Sequence, residues 1–324
     1  MAEELNTTIQ PVNEDDLFTF IDHDTIESEK IIAPRYSYWR SVFRVFFRKK
    51  SNWVMLSLLA LLLIGTFIIP LFCPYDPHEN VTRAEYFYKS PAEAISKFGF
   101  SLKWILGTGN VGNSISYGIW SSAKTSLLLA VICSAINMFV GIIMGAVWGY
   151  SKRIDQVMLV IHNIVANVPY ILVITVLVYI IGSGFWSFVF ALTITGWLGI
   201  AFFFRTQVMI IRDREYSLAS RCLGTPIHRV ISKNILPFLT SVIMMLLTRE
   251  LPSYISMEVF LSFIGVGLGA TVPSLGRMIQ EAQTAFLIYP WAFWPPVVVA
   301  AMLTIILYVL GQNLADASDP RTHM

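Results

Sequence analysis

Trp53 to Phe72 reads WVMLSLLALLLIGTFIIPLF, twenty residues without a charge, and Arg40, Arg44, Arg48, Lys49 and Lys50 stand just before it. About 20 apolar residues in a helix cover the roughly 30 Å hydrocarbon core of a bilayer, and bases massed on one flank mark the cytoplasmic end. The stretch reads as a membrane helix entered from the cytoplasm. Working outward, further apolar runs cover 125–150, 157–181, 186–204, 238–267 and 291–311, which gives six crossings. Composition agrees: 55% of the 324 residues are apolar and 14% charged, against about 25% charged in soluble domains. A typical water-soluble enzyme is excluded, and a net charge of +2 leaves no basic footprint for nucleic acid.

With an inside N-terminus, inside segments hold 16 of the 23 bases and outside segments hold 6. That asymmetry puts both termini in the cytoplasm. The expected organisation is an acidic, disordered cytoplasmic tail (1–34), a basic juxtamembrane segment with the first span (35–72), an extracytoplasmic loop (73–124), a core (125–311) with a cytoplasmic loop at 205–237, and a cytoplasmic C-terminus (312–324). Residues 1–30 carry nine acids against one base, Lys30, too charged to bury a core and unlike a secretory signal. Cys73, Cys133 and Cys222 form no C-x-x-C pair, and the five histidines show no paired spacing, so no disulfide framework or metal site is expected.

Three stretches carry chemistry. Gly107, Gly109 and Gly112 match the letters of a dinucleotide fingerprint but lead into a membrane span rather than a βαβ unit, so a structural turn is expected. No phosphate-binding G-x-x-x-x-G-K-[ST] loop occurs. In the fifth run Arg249 and Glu250, then Pro252 and Glu258, interrupt apolar sequence, which predicts a helix followed by a bent or re-entrant piece buried against protein. Charges at this depth avoid lipid, and neighbours on a helix point about 100° apart, so Arg249 and Glu250 need not pair with each other. Arg205 to Pro237 is too polar to be embedded, yet Leu218, Cys222, Ile227, Val230 and Ile231 show helical spacing. Two short helices are expected there, with Gly224 at a C′ position, Thr225 as N-cap and Pro226 in the next first turn. From the residues alone this is either a docking surface or a solvated positive loop.

At this loop the sequence resembles the inner-membrane permease subunits of ABC importers, in particular the C-type subunit of oligopeptide and dipeptide systems. Leu218-Ala219-Ser220-Arg221-Cys222-Leu223-Gly224, followed by Ile235-Leu236-Pro237, resembles their EAA loop, with Leu218 in place of the usual Glu and Ser220 in place of the second Ala. Four further stretches agree in order: Leu106 to Asn113, Ala123 to Leu127, Glu258 to Gly265 with Pro273 to Met278, and Asn313 to Arg321.

The resemblance implies an all-α, six-span, type I ABC importer permease of the bacterial cytoplasmic membrane, itself neither an enzyme nor a cofactor binder. It implies a second permease completing the substrate path, two cytoplasmic ATPases that bind ATP and Mg, and an extracytoplasmic lipoprotein that delivers peptide. The expected ATPase-coupling residues are Ser217, Leu218, Ala219, Ser220, Arg221, Gly224, Thr225 and His228. Arg249, Glu250 and Glu258 are candidates for the path or the permease interface. The competing readings are an ion-coupled secondary transporter, which would use ionisable groups at the bilayer midplane, and an ABC permease for dipeptides, nickel or another solute. A membrane-embedded enzyme finds no nucleophile–base or metal constellation.

Overall fold

The computed structural model describes residues 37–319, so the acidic tail at 1–34 and the closing Pro320 and Arg321 lie outside the described residues. The chain divides into two units, Met1–Trp39 and Arg40–Met324. Only residues 37–39 of the first are described, and the packing below lies within the second.

Among the described residues the fold is helical, with a single isolated β-bridge between Thr108 and Ser114. The helices are α1 (Tyr38–Arg48), α2 (Lys50–Phe72), α3 (Pro91–Phe98), α4 (Ile115–Tyr150), α5 (Lys152–Ala166), α6 (Tyr170–Ile181) and α7 (Phe185–Thr193). They continue as α8 (Trp197–Arg212), α9 (Glu215–Cys222), α10 (Ile227–Arg229), α11 (Thr240–Phe263), α12 (Leu275–Ala282) and α13 (Pro290–Ser318). Among the described residues five helical stretches are long and apolar enough to cross a membrane: α2, α4, Phe185–Arg212, Ile227–Phe263 and α13. The pair α5 and α6 passes the same test together but is bent by 76°.

Several expected boundaries move. The second span begins at Ile115 rather than 125, because Ser114 caps it by accepting from the Tyr117 N–H at 3.3 Å. The run at 157–181 is broken at 167–169, where Pro169 lacks the N–H that would continue the helix. The run at 186–204 breaks at 194–196 and then continues to Arg212. Its added charges are satisfied by neighbouring helices: Arg205 pairs with Asp155 of α5, its Nη2 lying 2.8 Å from Oδ2, and Arg212 Nη1 donates to the Gly149 carbonyl at 2.9 Å. The 312–318 stretch extends α13 instead of forming a tail. The fifth run is not broken at Pro252: α11 is continuous to Phe263, and the buried short helix α12 follows after a loop.

The 36-residue α4 is about 54 Å long at 1.5 Å per residue and serves as the spine. Along one face Gly141, Gly145 and Gly149 meet α8 so closely that an added Cβ would fall 3.2, 2.6 and 2.6 Å from the carbonyl oxygens of Trp197, Ala201 and Arg205. Without a hydrophobic force between helices in lipid, this backbone approach is what small residues contribute. The N-terminal end of α4 receives the 73–114 segment. Its C-terminal end carries Arg212, and Tyr150 at that end lies under the Arg221 guanidinium of α9. The start of α2 and the end of α13 are joined by Asn313 donating to Asn52 at 2.7 Å and Lys49 donating to Asn313 at 2.9 Å.

Gly145→Leu should destabilise the folded protein by about 1–3 kcal/mol through overpacking, read as a lowered thermal midpoint in detergent. Gly199→Ala, where an added Cβ meets nothing within 4 Å, should leave that midpoint unchanged.

Candidate functional site

The α9 segment is built by its caps. Gly224 adopts φ +75°, its N–H donates to the Arg221 carbonyl at 3.0 Å, and the Thr225 N–H donates to the Ser220 carbonyl at 3.1 Å. This is the Schellman pattern, and it needs a residue at ease in the left-handed region. Thr225 therefore completes the end of α9 rather than capping the next helix, whose N-cap is Pro226. The expected second short helix is also revised: α10 runs straight into a π segment, Val230–Ile235, a 3-10 turn, Leu236–Leu239, and α11. Pro237 removes one backbone donor there, which favours the irregular hydrogen bonding.

Ser217 faces inward, buried, and Asn234 Nδ2 donates to Ser220 Oγ at 2.6 Å. Leu218, Leu223 and Ile227 are exposed by 43%, 86% and 58%, and Ala219, Arg221, Gly224 and His228 are exposed with them, while Thr225 is half-buried. The segment thus presents an uncovered apolar patch with Arg221 and His228 in it. Beside it the Arg212 guanidinium, bonded at 2.9 Å, holds the Asp213 carboxyl below the usual carboxylate range.

At the other end of α4, the Gly107 to Gly112 stretch is the expected structural turn. Thr108 Oγ1 donates to the Tyr86 carbonyl at 2.5 Å and accepts from the Lys89 N–H at 2.8 Å. Asn80 Nδ2 donates to the Gly112 carbonyl at 3.1 Å, and Asn113 Nδ2 donates to the Tyr75 hydroxyl at 2.6 Å. Burial pushes the Tyr75 phenol up to about 12 despite that bond.

Glu258 is fully buried. Ser126 Oγ of α4 donates to one carboxylate oxygen at 2.8 Å and Ser262 Oγ to the other at 2.9 Å. The N-terminus of α12 closes the cradle: the Leu275 N–H donates to Ser126 Oγ at 3.1 Å, and Ser274 and the Gly276 N–H face the carboxyl. A Cβ on Gly276 would stand 2.9 Å from Glu258 Oε1.

Arg249 is exposed and forms no ion pair among the described residues, whereas Glu250 is half-buried and lines a cavity of about 380 Å³. The cavity lies between the α5–α6 break, the start of α8 and the middle of α11. Its wall includes Tyr170, Thr195, Ser253 and Tyr254. The break between α7 and α8 leaves the Leu192 carbonyl free of its helix, and it accepts from the Tyr170 hydroxyl at 2.7 Å and from Asn137 Nδ2 at 3.4 Å. Asn137 Nδ2 also donates to the Tyr254 hydroxyl at 2.6 Å, leaving that hydroxyl's own proton for Glu250. Sequence reading missed Tyr170, Tyr254 and Asn137. Asn137 did carry a signal, as the one amide in an otherwise apolar run.

Residues 137–324 match the family described as binding-protein-dependent transport system inner membrane component, and residues 37–91 match the N-terminal TM domain of oligopeptide transport permease C. The chain belongs to this permease family. It is 44% identical to the oligopeptide transport system permease protein AmiD of Streptococcus pneumoniae, over 94% of this chain and 97% of that one. It is 32% identical to the dipeptide transport system permease protein DppC of Bacillus subtilis over 95% and 93% of the two chains. The oligopeptide transport system permease protein OppC of the same organism is 30% identical over 91% and 93%. This permease is accordingly a multi-pass protein of a bacterial inner membrane. The first family match begins at Asn137 and takes in α11, α12 and the α9 segment, so the Glu258 cradle and the cavity wall fall almost entirely within it.

Glu258→Ala should cost this permease about 1–3 kcal/mol by stranding buried hydroxyls and the α12 N-terminus. Glu258→Gln, which keeps one acceptor oxygen, should cost less. Thermal unfolding in detergent orders the three proteins, and equal midpoints would refute the pinning role.

Proposed function

We propose that the chain is the permease subunit of an ATP-driven importer of oligopeptides, pairing with a second permease so that the substrate path runs between them. The full-length likeness to AmiD, at 44% identity, carries this reading. It also favours ATP-driven import over ion-coupled transport. The chain is a transport component, and ATP with Mg would be bound and hydrolysed on two partner ATPases.

Six crossings fit the hydrogen bonding. The bent pair starts at Ser151, beside the C-terminal end of α4, and ends near Ser183, whose carbonyl accepts from the Gly269 N–H at 2.7 Å just beyond α11. One passage of α5 and α6 thus joins opposite ends of the bundle. The Lys49–Asn52–Asn313 cluster keeps the start of α2 and the end of α13 together, and the bases concentrated in segments at that end support a cytoplasmic assignment for it. The 73–114 segment would then face outward to receive the peptide-loaded lipoprotein.

The α9 segment would be the ATPase-coupling element. Its exposed Leu218, Leu223 and Ile227 offer the apolar contact that a helix in a cleft requires. Arg221 over Tyr150 at 5.7 Å and Asn234 on Ser220 tie it to α4 and to the run entering α11. Closure of the ATPases would move these helices as rigid bodies, a two-state device. Arg249, exposed in mid-helix, would meet the second permease, because a charge facing lipid near the bilayer centre costs about 2.5–3.5 kcal/mol on insertion scales.

Two results test the assignment. Nothing lies within 4 Å of a Cβ added at Gly224, so Gly224→Val acts through backbone strain alone. It should uncouple ATP hydrolysis from peptide uptake in an assembled complex, whereas Gly224→Asn, tolerated in the left-handed region, should stay coupled. Normal uptake by the Val variant would refute the coupling role. Arg249→Gln should lower recovery of the second permease on co-purification, and unchanged recovery would remove Arg249 from the interface.

A further inference from the structure

The cavity beside Glu250 has properties that neither packing nor the coupling role requires. Three helix interruptions or half-buried polar groups converge on it at mid-span: the 76° break of α5 and α6, the α7–α8 break at 194–196, and Glu250, eleventh of the 24 residues of α11. Unwound backbone at this depth is tolerated only where it lines a cavity or is buried in protein, and in many secondary transporters such broken helices form substrate sites.

Among the described residues Glu250 is the one carboxylate of the wall, which contains no lysine or arginine; its histidine, His162, is stacked on Phe202 with ring centroids 4.3 Å apart. Tyr170 and Tyr254 present aromatic rings beside the carboxylate, the surroundings that stabilise an organic ammonium through ion pairing and cation–π attraction. Ser253 adds a hydroxyl. Thr195 also contributes to the wall, with its hydroxyl buried and without a hydrogen-bond partner among the described residues. Asn137 and Tyr254 are held by the Leu192 carbonyl and by each other, which sets the polar groups in place before any ligand arrives.

We infer that this cavity is a subsite for an ammonium group of the transported peptide, supplied by its amino terminus or by a lysine side chain, with Glu250 as counter-charge. The inference rests on the chain being a peptide permease. A bound ammonium would replace water at the carboxylate and draw the peptide to the side of the path formed by α8 and α11.

The test uses the assembled transporter in nanodiscs without the lipoprotein, photolabelled by the tetrapeptide Ala-benzoylphenylalanine-Ala-Ala. The competitors are tetra-alanine, N-acetyl-tetra-alanine and N-acetyl-Ala-Lys-Ala-Ala. Tetra-alanine should suppress labelling of the 162–170 and 250–257 peptides at concentrations at least tenfold below N-acetyl-tetra-alanine. Recovery of that potency by the acetylated lysine peptide assigns the site to any ammonium, and its absence to the amino terminus alone. In Glu250→Gln the tenfold preference should vanish, with any potency recovered by the acetylated lysine peptide, while N-acetyl-tetra-alanine keeps its potency, and Glu250→Asp should restore it. Equal potency of all three peptides on the wild type, or a preference that survives in Glu250→Gln, overturns the inference. So does failure of Glu250→Gln to co-purify with the second permease when Glu250→Asp does, which would make Glu250 an interface partner. A wild-type complex that is neither labelled nor able, with lipoprotein and ATP restored, to take up tetra-alanine would instead refute the peptide-permease reading.

Discussion

A carboxyl group buried without a cation is expensive unless hydrogen bonds surround it, and Glu258 meets that demand by drawing three helices to one point. Ser126 comes from α4, Ser262 from the next turn of α11, and the donors at the start of α12 complete the set. The arrangement fixes how α11 is rotated about its own axis. Arg249 lies nine residues before Glu258 and Glu250 eight, which at about 100° per residue places them roughly 180° and 80° away from it. If Glu258 points into the protein, Arg249 must point out and Glu250 sideways, as the exposed arginine and the cavity-lining glutamate do. One buried acid thus determines what two other charges can reach.

The same constraint explains a sequence detail that propensity alone does not. Gly276 lies in the first turn of α12, where glycine weakens a helix, yet a Cβ there would stand 2.6 Å from Ser262 Cβ and 2.8 Å from Val259 Cα. The close approach of α12 to α11 is what brings backbone donors to the acid. The glycines of α4 play a parallel part against α8, so that the bundle is held by backbone proximity and polar pins, consistent with the weak hydrophobic drive between helices in lipid.

The membrane class and the approximate positions of the five long apolar helices were legible in the sequence, because an uncharged apolar run of about 20 residues matches the thickness of a bilayer and exceeds what the core of a small soluble domain can bury. Their ends were less so. Ile115 to Lys124 contains serines, tyrosine and a lysine that lower its hydropathy, yet it is helix, and Arg205 to Arg212 stays helical because Asp155 and the end of α4 satisfy its charges. Such partners are distant in sequence and leave no local trace. The Gly224 turn was readable, since Gly followed by Thr-Pro has a local mechanism, but the role of Thr225 was not, because an N-cap and the last donor of a Schellman turn use the same residue type. Pro252 misled in the opposite direction: α11 stays continuous there, with α13 packed close at Gly311 against Thr248. The cavity escaped sequence reading because its wall is assembled from two helix breaks and a polar network contributed by four helices.

These placements bear on how a push at one end of the bundle reaches its middle. The α9 segment is tied to the end of α4 by Arg221 over Tyr150, and Arg212, at the end of α8, is tied to the Gly149 carbonyl. Since α4 and α8 are locked along Gly141, Gly145 and Gly149, those two helices respond as one body. The route to α11 is different: it passes through Val230–Ile235 and Leu236–Leu239, where π and 3-10 hydrogen bonding around Pro237 replaces the regular ladder. Such segments accept changes of pitch more readily than an α-helix does. The space between the start of α8, in the stiff pair, and the middle of α11, beyond the irregular connection, is the Glu250 cavity.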